Sequence, residues 1–170
     1  SGGASAPGVV VIQEWWGLND QIKGVADKLA AQGYRALVPD LYRGKLGLDA
    51  NEAGHLMNDL DFADAAGQDV AGAVRHLKAT GSAKVGVTGF CMGGALTLLS
   101  AVLVPDMDAA VAFYGYPPLE FIDASRSPMR PPQPTVAPSG WNDCQVFCWS
   151  LCENRLTGLG CEACPYCVLL

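Results

Sequence analysis

Between residues 8 and 113, short β-branched runs alternate with stretches of helical period, and that order leaves few folds open. Gly8-Val9-Val10-Val11-Ile12-Gln13 is an apolar run opened by glycine, the pattern of a strand buried on both faces. Asn19 then offers an N-cap, Ile22, Val25 and Leu29 repeat at helical spacing, and Gly33 supplies a C-terminal stop. Arg35–Val38 reads as a second strand, ended by Pro39. Phe62–Lys78 places Ala66, Val70, Ala73, Val74 and Leu77 on one stripe and predicts a second helix. Lys84–Thr88, Met92–Val102 and Ala109–Phe113 follow as strand, helix and strand. Strands separated by helices pair in parallel, so the predicted fold class is α/β, a mostly parallel doubly wound sheet.

The 170 residues give room for one domain and a tail. Half are apolar and only 16% are charged, which excludes a disordered chain. The net charge of −6 and the lack of any basic run argue against nucleic acid or anionic lipid as partner. The longest apolar stretch, Ala95–Val104, carries Thr97 and Ser100 and is too short to span a bilayer, so no membrane partner is expected. The sequence starts at Ser1 rather than Met, so the absence of a leader says little about a full gene product. Of the seven cysteines, Cys91 stands by itself in residues 1–130, and the last forty residues hold the other six. That shift, with the proline-rich run Ser127–Pro134, predicts a domain over 1–130 and a Cys/Pro-rich tail over 131–170.

The segment richest in chemistry is Val87-Thr88-Gly89-Phe90-Cys91-Met92-Gly93-Gly94. It sets a nucleophilic residue on a sharp strand-to-helix turn, with glycine two positions to either side. Such a turn strains the nucleophile's backbone, and side chains at the flanking positions would strike the adjoining strand and helix. It lifts Cys91 above the carboxyl edge of the sheet, where open α/β folds bind ligands. The backbone N–H of Met92 then lies at a helix N-terminus and can stabilise an oxyanion. The plainer alternative is a buried cysteine beside a tight turn.

Two further segments carry candidates. In Ile12-Gln13-Glu14-Trp15-Trp16-Gly17-Leu18-Asn19, Glu14 could take the Cys91 proton and the Trp15 N–H could be a second oxyanion donor. The same residues would serve equally as a surface glutamate capping the next helix and two core tryptophans. In Pro39-Asp40-Leu41-Tyr42-Arg43-Gly44, Arg43 follows a strand end and could hold a substrate carboxylate with a bidentate fork; it reads otherwise as a solvated loop arginine.

Taken together, Val11–Asn19, Pro39–Arg43 and Gly89–Gly94 resemble the dienelactone hydrolase (carboxymethylenebutenolidase) family of the α/β-hydrolase superfamily. Ala112-Phe113-Tyr114-Gly115-Tyr116-Pro117 is similar to that family's next strand and loop, and the resemblance covers about residues 7–126. It implies an α/β-hydrolase fold and a carboxylic-ester or lactone hydrolase with a small-molecule substrate. By that analogy Cys91 attacks the carbonyl and forms a thioester, and Glu14 helps generate the thiolate. Trp15 and Met92 would form the oxyanion hole, and Arg43 would hold the substrate carboxylate. No metal or organic cofactor is implied.

The sequence departs from the family after Cys91. The superfamily orders its triad as nucleophile, acid, histidine, yet the two histidines, His55 and His76, both precede Cys91 and read as surface residues. Gly140-Trp141-Asn142-Asp143 resembles the turn that bears the acid, which makes Asp143 its candidate. The fold is therefore expected to lack its last strands and helix and to leave a sheet edge open. In the tail, Cys161, Cys164 and Cys167 have metal-ligand spacing, and Cys167-Val168-Leu169-Leu170 fits a prenylation box. The patterning that would frame a zinc site is missing, no polybasic segment precedes the box, and nothing upstream supports a disulfide framework. The tail reads rather as sequence not selected with the domain.

Two functions of different class stay open: a cysteine hydrolase, and a non-catalytic remnant or binding domain that keeps the pocket and the thiol. A cytoplasmic location is expected because the folded part needs its one cysteine reduced. The substrate and the oligomeric state are left open by the sequence.

Overall fold

The computed structural model describes residues 3–117 and the strand Val146–Ser150. In chain order the elements are β1 (Gly8–Ile12), α1 (Asp20–Ala31), β2 (Arg35–Leu37), α2 (Ala50–Asn58) and α3 (Phe62–Asp64). A π-helical segment, Ala65–Val70, joins α3 to α4 (Ala71–Ala79). Then come β3 (Val85–Phe90), α5 (Met92–Leu103), β4 (Ala109–Phe113) and β5 (Val146–Ser150).

The sheet order is β2-β1-β3-β4-β5. β1 pairs in parallel with β2 and β3, and β3 in parallel with β4. Alternation along β1 explains the two layers. Val10 and Ile12 face the larger core, with Val70, Val74, Leu77, Leu96 and Leu99 from the π segment, α4 and α5. Val11 faces the opposite side and packs on Ile22 and Ala26 of α1. α5 is buried from Met92 to Val102, as its continuous apolar sequence requires. The predicted α/β-hydrolase-type arrangement, a mostly parallel sheet clad by helices on both faces, is what forms.

Local signals set most element ends. Asn19 Oδ1 accepts from the Ile22 N–H at 3.1 Å and starts α1, and Gly33, at φ +93°, turns the chain out of it. α2 is not among the elements that the hydrophobic pattern predicts. Asp49 caps it by accepting from the Glu52 N–H at 2.9 Å, while Glu52 reaches back to the Leu48 N–H at 3.0 Å. That Asp-x-x-Glu spacing is its sequence signal. The helix read over Phe62–Lys78 forms at the expected place, but its middle is π-helical. Asp69 lies within this π-helical segment.

At the far edge the structure differs from expectation. β4 is not left open: β5 pairs antiparallel with it, from Ala109 opposite Ser150 to Phe113 opposite Val146. An open edge presents a row of unpaired N–H and C=O groups, and any extended segment within reach can satisfy them. Val146-Phe147-Cys148-Trp149 is itself a run of strand-favouring apolar residues, a local signal that the cysteine-rich composition around it obscured. Asp143, the Cys161–Cys167 spacing and the Cys167–Leu170 box lie outside the described residues.

Candidate active site

β1, β3 and β4 run parallel and end at one edge, so the loops after them meet there. Cys91 sits between β3 and α5 with φ +54° and ψ −118°, a backbone region that side chains other than glycine seldom occupy. The conformation is held from both sides: the Cys91 N–H donates to the Phe113 carbonyl at the end of β4, and its own carbonyl accepts from the Ala95 N–H, both at 3.1 Å. The thiol is partly exposed and forms no disulfide. The flanking glycines are sterically required. A Cβ on Gly93 would stand 2.6 Å from the carbonyl oxygens of both Ile12 and Gln13, and one on Gly89 would run into the Gly93 carbonyl. Both collisions expected from the sequence are therefore real, and the tight turn brings the start of α5 down onto the end of β1.

That contact sets Met92 beside the loop after β1. Met92 is the first residue of α5, where an N–H has no carbonyl one turn earlier to accept it. The neighbouring loop is pinned by backbone bonds: the Glu14 carbonyl accepts from the Gly17 N–H at 3.1 Å, and the Trp16 carbonyl from the Gly47 N–H at 3.0 Å. The first of these fixes the peptide plane that carries the Trp15 N–H.

Tyr42 joins the two candidate oxyanion residues. Its side chain is buried, and its hydroxyl donates to the Trp15 carbonyl at 3.1 Å while lying 3.2 Å from Met92 Sδ. Burial pushes the Tyr42 phenol up to about 12, so it stays a donor through the physiological range. Fully buried Gln13 adds a second tie, its Oε1 accepting from the Leu41 N–H at 3.2 Å.

Glu14, the candidate proton acceptor, is half-buried, and its Oε1 accepts from the Tyr114 hydroxyl at 2.9 Å. Among the described residues no hydrogen bond joins it to the Cys91 thiol. Arg43 lies in the turn after β2 at φ +55°, built on Asp40, whose carboxylate accepts from the Tyr42 and Gly44 N–H groups at 3.1 and 2.6 Å. Its guanidinium is exposed: Nη2 donates to both carboxylate oxygens of Asp69, each at 2.9 Å, and Nη1 donates to the Asp40 carbonyl at 3.0 Å. Among the described residues it makes no hydrogen bond to Cys91, Glu14, Trp15 or Met92, and the carboxylate it holds is one of the chain's own. His55 and His76 are exposed on α2 and α4, as the sequence predicts. Among the described residues no group of three or more His, Cys, Asp or Glu is placed to hold a metal ion, and no helix is long and apolar enough to cross a membrane.

The model of the "Dienelactone hydrolase family" matches residues 1–138. The chain belongs to that family. It is 42% identical over 127 residues to "Protein usf" of Aquifex pyrophilus, a match covering 69% of this chain and 55% of the relative. It is 40% identical over 129 residues to a "Putative carboxymethylenebutenolidase" of Aquifex aeolicus, covering 71% and 56%. The chain thus spans about half the length of these curated relatives. A solved structure described as a "Putative Dienelactone Hydrolase" of Klebsiella pneumoniae superposes with a TM-score of 0.61 at 31% identity, covering 68% of this chain and 50% of that one. Membership of the dienelactone hydrolase family makes the chain, by descent, an α/β-hydrolase-fold member of an ester- and lactone-hydrolase lineage.

The residues that the sequence singled out do not all arrive together. Trp15 and Met92 meet through Tyr42, and Glu14 lies at the same edge as Cys91. Tyr42 and Tyr114 lie within motifs already quoted, but their contacts, like that of Asp69, emerge only from the fold, because each acts on a residue 26 or more positions away.

Proposed function

We propose that the chain is the nucleophile-bearing part of a cysteine hydrolase acting on carboxylic esters or lactones. The observation that carries this reading is the Cys91 turn: a partly exposed cysteine at φ +54° just before α5, whose start at Gly93 closely approaches the end of β1. In the reaction, the Cys91 sulfur bonds to the substrate carbonyl carbon and its proton passes to the Glu14 carboxylate. Negative charge gathers on the carbonyl oxygen, toward which the Trp15 and Met92 N–H groups would donate. Collapse breaks the carbon–oxygen bond, the alkoxide takes the proton back from Glu14, and a thioester is left; in a lactone the freed alcohol stays tethered. Arg43 would hold a substrate carboxylate in place of Asp69. No metal or organic cofactor enters these steps, and the partner is a small molecule.

Release of the thioester needs water activated by a base. Both histidines of the sequence sit exposed on α2 and α4, outside the set just described, so deacylation by this chain is expected to be slow. The test is to mix the purified chain with an activated aryl ester, then follow aryl alcohol release and the mass of the Cys91 peptide, beside Cys91→Ala. A burst of about one equivalent with an acyl group on Cys91 supports the reading. Absence of Cys91 acylation would refute it.

A further inference from the structure

Tyr42 stands where the two candidate oxyanion donors meet, and among the described residues no hydrogen bond joins it to the thiol. Its ring is buried, and its hydroxyl is the one side-chain group bonded to both donor residues among those described. The bond to the Trp15 carbonyl, 3.1 Å long, fixes the peptide following Trp15, while the Glu14 carbonyl bond to the Gly17 N–H fixes the peptide before it. The N–H of Trp15 is therefore held through both of its neighbouring planes. On the other side the same hydroxyl is 3.2 Å from Met92 Sδ, which seats the first residue of α5 against the loop. The turn that delivers Tyr42 is itself built up: Asp40 holds its N–H, Gln13 holds that of Leu41, and the Lys45 N–H donates to the Tyr42 carbonyl at 3.2 Å.

We infer that Tyr42 is a positioning residue for the oxyanion hole, its hydroxyl setting the distance and orientation between the Trp15 and Met92 N–H groups. Oxyanion donors act by being fixed before charge develops, so a small loosening weakens the transition state without affecting the resting protein much. The inference rests on the reading of Trp15 and Met92 as oxyanion donors given above.

The experiment compares two reactions at the same sulfur in the full chain and in Tyr42→Phe. Acylation by an aryl ester passes through an oxyanion; alkylation by iodoacetamide does not. Each rate is read by mass at the Cys91 peptide, at a temperature where thermal melts show both chains folded. Deleting an oxyanion donor outright costs about 10²–10³-fold. Misplacing two while keeping them is expected to slow acylation about tenfold, with alkylation within about twofold of wild type. Equal slowing of both reactions, or unchanged acylation, overturns the inference and leaves the function standing. A Tyr42→Phe chain without a cooperative melt also overturns it, by making the hydroxyl a requirement of folding. Failure of the wild-type chain to acylate at Cys91 would remove both.

Discussion

Tyr114 donates its hydroxyl hydrogen to Glu14 Oε1 at 2.9 Å, joining the end of β4 to the loop after β1 across 100 positions of sequence. Tyr114 holds φ +38°, so the chain turns sharply at the strand's end to present the hydroxyl there. On the proposed mechanism this bond aims the carboxylate that receives the Cys91 proton. Tyr114→Phe should slow Cys91 acylation by about tenfold or less, the equivalent of one hydrogen bond worth ~1 kcal/mol. In a Glu14→Gln background the same change should add almost nothing. Additive losses in the double variant would show that the two residues act separately.

Asp69 competes for Arg43. The pair is exposed on the arginine side and contributes about 0–1 kcal/mol to stability, so removing it should leave the melt nearly unchanged. Asp69→Asn removes the carboxylate charge from Nη2 of Arg43, while Nη1 stays on the Asp40 carbonyl. It should lower the half-saturating concentration for acylation by an aryl ester that carries a carboxylate, about threefold or more, and leave a neutral ester unaffected. Arg43→Ala should act in the opposite direction on the charged ester alone. Equal shifts for both esters would remove Arg43 from substrate binding.

Gly93 and Gly24 make a matched contrast. A Cβ at Gly93 meets two carbonyl oxygens at 2.6 Å, whereas one at Gly24, on the surface of α1, meets nothing within 4 Å. Gly93→Ala should destabilise by at least ~2 kcal/mol and abolish Cys91 acylation, because α5 must move away from β1. Gly24→Ala should stabilise by about 0.5–1 kcal/mol through helix propensity alone. Thermal melts of the two variants decide the matter. A Gly93→Ala chain that melts with wild type would contradict the close approach of α5 to β1.

Asp108 sets a pH dependence of stability. Burial works against its charged form, but hydrogen bonds from Lys78, the Val85 N–H and Lys84 outweigh it and hold the carboxyl below the usual range. The folded state therefore releases this proton more readily than the unfolded chain. The stabilisation is fully present above the unfolded value, about pH 4, and is lost as pH falls through the lower folded value. Asp108→Asn should lower Tm at pH 7, and the gap to wild type should close as the pH drops below about 4. A gap of equal size at pH 3 and pH 7 would assign the effect to packing and not to charge.

Much of the fold was legible because its signals are local. The β-branched runs gave β1, β3 and β4; Asn19 and Gly33 bounded α1; Gly89 and Gly93 announced the strained turn at Cys91. Each of these works over a few residues, where backbone sterics and capping bonds are decided by neighbours in sequence. α2 escaped because its cue was a capping pair, Asp49 and Glu52, and not an apolar stripe. The π-helical segment escaped because one inserted residue leaves the composition of a helix unchanged.

The sequence by itself determined the alternation of strands and helices from β1 to β4 apart from α2, the placement of one thiol on a turn only glycines can flank, and the kinship that those motifs carry. Only the tertiary structure decided which side chains act on one another. Tyr42 reaches Trp15 and Met92, Arg43 reaches Asp69, and Tyr114 reaches Glu14 because parallel strands end at one edge and hold their loops together. Such pairings depend on distances of about 3 Å between groups far apart in the chain. Periodicity and spacing carry no record of them, since the packing of whole layers fixes those distances.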